Sequence, residues 1–190
     1  MNYWESIDEL SGILKEFFRT RKDLFDEAIN EICLHIKAGK KILAFGNGGS
    51  AAQAQHFTSE LAGRFKENRK ALPALSLTTD CSLLTALSND WSFNTVFSRQ
   101  IEALGEKDDI ALAFSTSGDS SNVVKAVKSA RQQGLFTISL TGQGGGLLKS
   151  HSSILLDIPS VSTAKIQEAH LFLLHVIAGQ MESRILEGSL

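Results

Sequence analysis

Between Lys41 and Phe65 the sequence reads KILAFGNGGSAAQAQHFTSELAGRF, and no other stretch constrains the fold as tightly. Lys41 to Phe45 is a short apolar run suited to a buried parallel strand. Gly46, Gly48 and Gly49 then let the chain turn sharply beneath a ligand. Ser50 is expected to cap the helix that follows, whose orphan N–H groups and positive dipole end form an anion site. On that helix His56 and Glu60 lie four residues apart and project from one face. As a solvated pair they would add only about 0.2–0.5 kcal/mol. Beside a loop that holds an anion, an imidazole and a carboxylate can instead share a metal or move protons.

The rest of the chain supplies the frame for this unit. Apolar positions recur at helical spacing over Trp4–Phe18 and Leu24–Ile36, predicting two amphipathic helices before the first strand. Trp4, Phe17 and Phe18 need a cover, which an oligomer interface or packing within the chain would each provide. Ala71–Leu77 reads as the second strand, Leu83–Leu87 as helical, and NDWSF at Asn89–Phe93 as a break. Phe93–Leu104 restarts the helical pattern and Gly105 closes it. Asp109–Phe114, Phe136–Leu140 and Ile154–Ile158 read as the third, fourth and fifth strands. Ser120 or Ser121 opens a helix to Gln133, and Thr163 opens a final one to about Leu186. Strands alternating with helices predict an α/β fold, a doubly wound five-stranded parallel sheet flanked by helices.

With 190 residues, 43% hydrophobic and 21% charged, the chain suits one domain over 1–190, with an N-terminal helical extension over about 1–38. A net charge of −2 without a basic cluster argues against nucleic acid as partner. Cys33 and Cys81 lack zinc or redox spacing and sit in apolar surroundings, so both are expected to be buried thiols in a reducing compartment. The opening MNYWESIDEL is acidic where a signal peptide is basic, and no apolar run reaches membrane-spanning length. A cytoplasmic chain without a membrane partner is expected.

Ligands of such sheets bind outside the carboxyl ends of the strands, where two loops carry chemistry. One is GNGGS. The other, Ser115–Ser121, brings the hydroxyls of Ser115, Thr116, Ser117 and Ser120, with Gly118 allowing close backbone approach. A serine-rich turn alone is usually only a turn. Between a buried strand and a helix start it offers the hydroxyl and N–H donors that a phosphate monoester needs. Gly46, Gly48 and Ala51 also satisfy a dinucleotide fingerprint, but no acid ends the second strand about twenty residues on, and no GK[ST] occurs. No nucleotide cofactor is expected. On the final helix Gln167 and His170 are neighbours, while His175 lies about 80° around from Gln167. Periodicity does not choose between the two histidines.

The ordered motifs GNGGSAAQAQHFTSELAGRF, LTTDCSLLTALSND, FSTSGDSSNVVKA, LTGQGGG and TAKIQEAHLFLLH resemble those of bacterial phosphoheptose isomerases, which are SIS domain enzymes. The resemblance runs from about Lys37 to His175. It implies a SIS fold and an aldose–ketose isomerase acting on sedoheptulose 7-phosphate, in heptose synthesis for lipopolysaccharide or other surface glycans. It also implies a homotetramer with sites between subunits. Carried over by position, His56, Glu60, Gln167 and His175 match zinc ligands, and Glu60 and His175 the acid–base pair. Asn47, Gly48, Gly49, Ser50, Glu60, Asn89, Asp90, Ser115, Thr116, Ser117, Ser120 and Gln167 match substrate contacts. Lys165 departs from the arginine common before IQE, losing its planar fork. The alternative is a non-catalytic SIS binding module of the replication-initiator-associating type, which lacks the counterparts of Glu60 and His175. A sugar-phosphate-sensing regulator would carry a DNA-binding region besides.

Overall fold

The computed structural model describes residues 2–188. In chain order the elements are α1 (Tyr3–Lys37), β1 (Ile42–Gly46), α2 (Gly49–Ala62), β2 (Ala74–Ser76), α3 (Cys81–Asp90), α4 (Ser98–Leu104), β3 (Ile110–Ser115), α5 (Ser121–Gln132), β4 (Phe136–Thr141), β5 (Ile154–Asp157) and α6 (Thr163–Leu186). The five strands form one parallel sheet in the order β2-β1-β3-β4-β5. Fully buried strands such as ILAFG and IALAFS need helices on both faces, and the alternation of side chains assigns each residue to one of them. Ile42, Ala44, Ile110, Leu112 and Phe114 face α1, α2 and α6. Leu43, Phe45, Ala111 and Ala113 face α3, α4 and α5. The fold is the doubly wound one expected.

Several local expectations change. The two N-terminal helices are one, α1, because Phe18 to Leu24 contains no glycine or proline and carries Glu16–Arg19 and Lys22–Asp26 pairs at helical spacing. Phe17 and Phe25 are fully buried and meet edge to face with Phe18, so this part of α1 is covered by its own chain. Tyr3, Trp4 and Ile7 remain exposed. Ser50 does not cap α2. That helix begins two residues earlier, at Gly49 behind Gly48, whose φ of +55° suits glycine, and Ser50 is buried in its first turn. Neither Ser120 nor Ser121 caps α5 with its side chain; the side-chain Oδ1 of Asn122 accepts from Val123 N at 2.9 Å instead. Gly105 does close α4 as expected, its N–H donating to Ile101 O at 2.8 Å, but at a φ of −75° rather than in the left-handed region.

The second strand is shorter than expected, Ala74–Ser76, since Pro73 has no N–H for the ladder; its carbonyl still accepts from Ile42 N. Asp109 falls just outside β3, where its carboxylate accepts from Lys41 N and Glu106 N and pairs with Lys41 Nζ at 2.6 Å. Burial raises the Asp109 pKa, but these partners outweigh it and hold the carboxyl below its usual range. Cys33 is a buried thiol; Cys81 is exposed, because it opens α3 on the surface rather than on the core face. Among the described residues no helix is long and apolar enough to cross a membrane.

Candidate active site

The sheet order reverses between β1 and β3, since β1 continues to β2 on one side and β3 to β4 on the other. At such a switch point the loops after the two strands part and leave a crevice. They do so here at close quarters: a Cβ on Gly46 would lie 2.8 Å from Phe114 O, so only glycine fits the end of β1. Asn47 and Asn122 bridge the two loops reciprocally, each amide donating to the other's carbonyl oxygen at 2.8 and 2.9 Å.

The Ser115–Ser121 loop curls on itself. Ser115 Oγ accepts from Gly118 N at 3.2 Å and donates to Ser120 Oγ at 3.3 Å, while Ser117 Oγ accepts from Asp119 N at 3.1 Å. Ser115 is buried, Thr116 and Ser120 are half-buried and Ser117 is exposed, so hydroxyls step from the sheet edge outward. The TGQGGG loop backs this one. Gly118 has a φ of +72° and a Cβ there would meet Gly145 O at 2.1 Å. Gly142 N donates to Thr116 O, Leu148 N to Gly118 O, and Leu147 N to Asp119 Oδ1. The backbone of the serine loop is thereby pinned from behind, and its outer rim, at Ser117, stays exposed.

The second part of the site is built by helices α2 and α6. They lie side by side on one face of the sheet, joined by a 2.6 Å bond from Gln53 Nε2 to Gln167 O. His56 and Glu60, one turn apart on α2, meet His175 of α6. His56 Nε2 is 2.8 Å from His175 Nε2 and 3.4 Å from Glu60 Oε1. The three ligand atoms lie within 4.8 Å of one another, a group able to hold a metal ion, and all three residues are half-buried. Phe65 stacks on the His175 ring at 5.6 Å and 27°. A donor set of two imidazoles and a carboxylate suits both metal ligation and proton transfer.

Gln167 sits at the loop end of the same helix pair, where a Cβ on Gly49 would lie 2.5 Å from its Nε2. Gly49 precedes His56 by seven residues, about 10 Å along the helix. His170 is the core histidine. It is fully buried against the Phe114 ring, with Nε2 3.2 Å from Thr141 O. Burial pushes its pKa down to about 4 against the smaller opposing effect of the Thr141 carbonyl, so the ring is neutral near pH 7. Asn89 and Asp90 are not brought to this group: they end α3 in the layer on the other face, exposed, with Asn89 Nδ2 donating to Asp90 Oδ1 at 2.9 Å.

Sequence reasoning missed Asn122, Phe65 and Gln53. Asn122 stood within the serine-rich motif and was legible as part of it. Phe65 and Gln53 carry no chemistry of their own, and only the packing of α2 on α6 reveals their roles.

Comparison with known proteins agrees with this architecture. The SIS domain profile matches residues 5–142. The phosphoheptose isomerase of Synechocystis sp. is 44% identical over 185 residues, covering 97% of this chain and 95% of that protein. That of Campylobacter concisus is 51% identical over 142 residues, 75% of each. The structure of the Neisseria gonorrhoeae phosphoheptose isomerase superposes with a TM-score of 0.89 at 38% identity, over 95% of this chain and 97% of that one. The Francisella tularensis enzyme gives 0.90 at 34%, over 96% and 100%. The chain belongs to the phosphoheptose isomerase family, within the SIS domain proteins.

Proposed function

We propose that this chain interconverts sedoheptulose 7-phosphate and D-glycero-D-manno-heptose 7-phosphate through an enediol, as an early step in making the heptose of a surface glycan. The observation that carries this reading is that α2, which starts from the loop at the switch point beside the hydroxyl-lined turn, carries His56 and Glu60 farther along, where they meet His175. An extended seven-carbon sugar phosphate has its anion at one end and its carbonyl at the other. In this reading the phosphate lies on Ser115, Thr116, Ser117 and Ser120, over the start of α5. Asn47, Gly48, Gly49, Ser50 and Gln167 line the sugar between, and C1 and C2 reach the helix pair.

Glu60 takes the proton from C1 while His175 gives one to the C2 carbonyl oxygen, forming the enediol. Return of a proton to C2 and loss of one from the C1 oxygen give the aldose. Both groups belong to the class that speeds proton transfer by about 10²–10⁴-fold.

The same three residues fit zinc. Ligands about 2.0–2.1 Å from a tetrahedral ion stand about 3.3 Å apart. The His56–Glu60 separation of 3.4 Å matches, and the two imidazoles, at 2.8 Å, need open only slightly. Gln167, which the family resemblance offers as a fourth ligand, has its amide against Gly49 two turns along α2 from His56, so in this reading it lines the sugar and would have to swing towards the group to join the ion. A bound zinc would supply Lewis-acid polarisation of the carbonyl. A carboxylate held tightly by a metal is a poor base, so Glu60 serves one role at a time.

The reading extends to a homotetramer in the cytoplasm with sites shared between subunits. The exposed Tyr3, Trp4 and Ile7, and Trp91 and Phe93 beside Asn89 and Asp90, support it. In that assembly Asn89 and Asp90 serve a neighbour's site. The test is a coupled assay of the parent protein with sedoheptulose 7-phosphate. Formation of the aldose heptose 7-phosphate is expected; binding without conversion would move the non-catalytic SIS module to first place.

A further inference from the structure

A buried ion pair that the reaction does not use joins the loop between α2 and β2 to helix α6. Arg69 and Glu182 have side chains only 1% and 4% exposed, with Nε and Oε1 3.4 Å apart. Burying two charges is costly unless further hydrogen bonds satisfy them, so where those bonds go matters.

The Arg69 bonds all end on the last turn of α2 and the loop after it. Nη2 donates to Glu60 O at 2.6 Å; Nη1 donates to Leu61 O at 2.8 Å, Lys70 O at 3.0 Å and Gly63 O at 3.3 Å. Helix α2 has no basic residue in its own last turn, so Arg69 both satisfies its orphan carbonyls and faces the negative end of its dipole. The residue held most closely is Glu60.

Glu182 acts on the other helix. It follows His175 by two turns on the same face of α6. Its Oε2 accepts from Lys66 N and Glu67 N, both at 3.0 Å. Those amides directly follow Phe65, whose ring lies on His175. One ion pair thus ties the backbone of Glu60 to the loop that supplies the stacking partner of His175.

We propose that the Arg69–Glu182 pair positions the His56, Glu60 and His175 group, Arg69 fixing the end of α2 and Glu182 fixing Phe65 against His175. This rests on the metal and acid–base reading above. Neither residue touches substrate; both are positioning residues.

The test uses the full chain, dialysed against chelator and titrated with Co²⁺, whose visible bands report ligand geometry. Glu182→Gln keeps the shape and loses the charge, Arg69→Lys keeps the charge and loses the fork, and Phe65→Leu removes the stacked ring alone. Asp109→Asn, which breaks a buried pair at the opposite end of β1 and β3, controls for lost stability. Glu182→Gln and Arg69→Lys should each weaken cobalt binding about tenfold or more and change the band pattern, as partners of metal ligands do. Their kcat for sedoheptulose 7-phosphate should fall with KM held within about threefold. Asp109→Asn should lower the melting temperature and leave both readouts at parental values. Variants that behave like Asp109→Asn overturn the proposal. Should Glu182→Gln fail to fold, Arg69→Lys and Phe65→Leu decide the matter on the same readouts. A parent that takes up no cobalt overturns the metal reading instead, and turnover then decides: kcat loss at constant KM upholds the positioning role, and parental kcat rejects it.

Discussion

The two ends of the site are made in different ways. The serine loop and the glycine loop are local structures, each a few consecutive residues between a strand and a helix; backbone bonds to the adjoining TGQGGG loop hold the first, and the Asn47–Asn122 bridge ties the second to it. The His56, Glu60 and His175 group joins residues 119 apart in the chain, and its geometry depends on how α2 packs on α6. The comparison teaches that, in the proposed reading, anchoring and chemistry are separable. Changes in the loops should alter how tightly the phosphate end is held, and changes in the helix pair should alter turnover.

The largest effect is expected at the helix pair. His175→Asn keeps a polar side chain of roughly similar shape but removes the titrating ring, so kcat should fall by about 10²–10⁴-fold with circular dichroism unchanged. A similar loss in the affinity for substrate would show that the two ends are coupled and break the comparison. At the loop end, Ser117→Ala with Ser120→Ala removes two hydroxyls that in the proposed reading donate to the phosphate, each worth roughly 1.5–3 kcal/mol. KM should rise by at least tenfold while kcat changes less. Unchanged affinity in the double variant would move the phosphate elsewhere.

The same contrast decided what the sequence made legible. Strand, glycine loop and helix follow one another within about twenty-five residues, so the turn, the helix start and the one face shared by His56 and Glu60 could be read from Lys41 to Phe65. The final helix could not be read so. His170 and His175 both sit among apolar residues, and helical spacing alone left either as candidate. Only the packing separates them: His170 points into the sheet at Phe114 and Thr141, and His175 points across at His56. The continuous α1 was missed for a related reason. The pattern weakens between Phe18 and Leu24 because that turn is solvated and charged, which interrupts the apolar stripe without breaking the helix. Cys81 was misplaced because an apolar neighbourhood in sequence says nothing of which side of a helix start faces water.

The smallest effect expected concerns stability rather than rate, and it sharpens the distinction between the two histidines. His170 titrates near 4 in the folded chain and near 6.5 unfolded. Between these values the unfolded chain takes up a proton that the folded chain refuses, so stability falls as pH drops from about 6.5 towards 4. The difference of about 2.5 pH units sets a ceiling of roughly 3 kcal/mol. Urea unfolding at pH 7 and pH 4.5 should therefore show a larger acid loss in the parent than in His170→Asn. Equal losses would mean that His170 is not the buried neutral ring described.

The central claim, that Glu60 moves the carbon-bound proton at an end of the site distinct from the phosphate cradle, is tested most directly by the steady-state kinetics of Glu60→Gln. With sedoheptulose 7-phosphate as substrate, and folding confirmed by circular dichroism, the account predicts kcat lower by about 10²–10⁴-fold and KM within a few-fold of the parent. Near-parental kcat in that variant would contradict it.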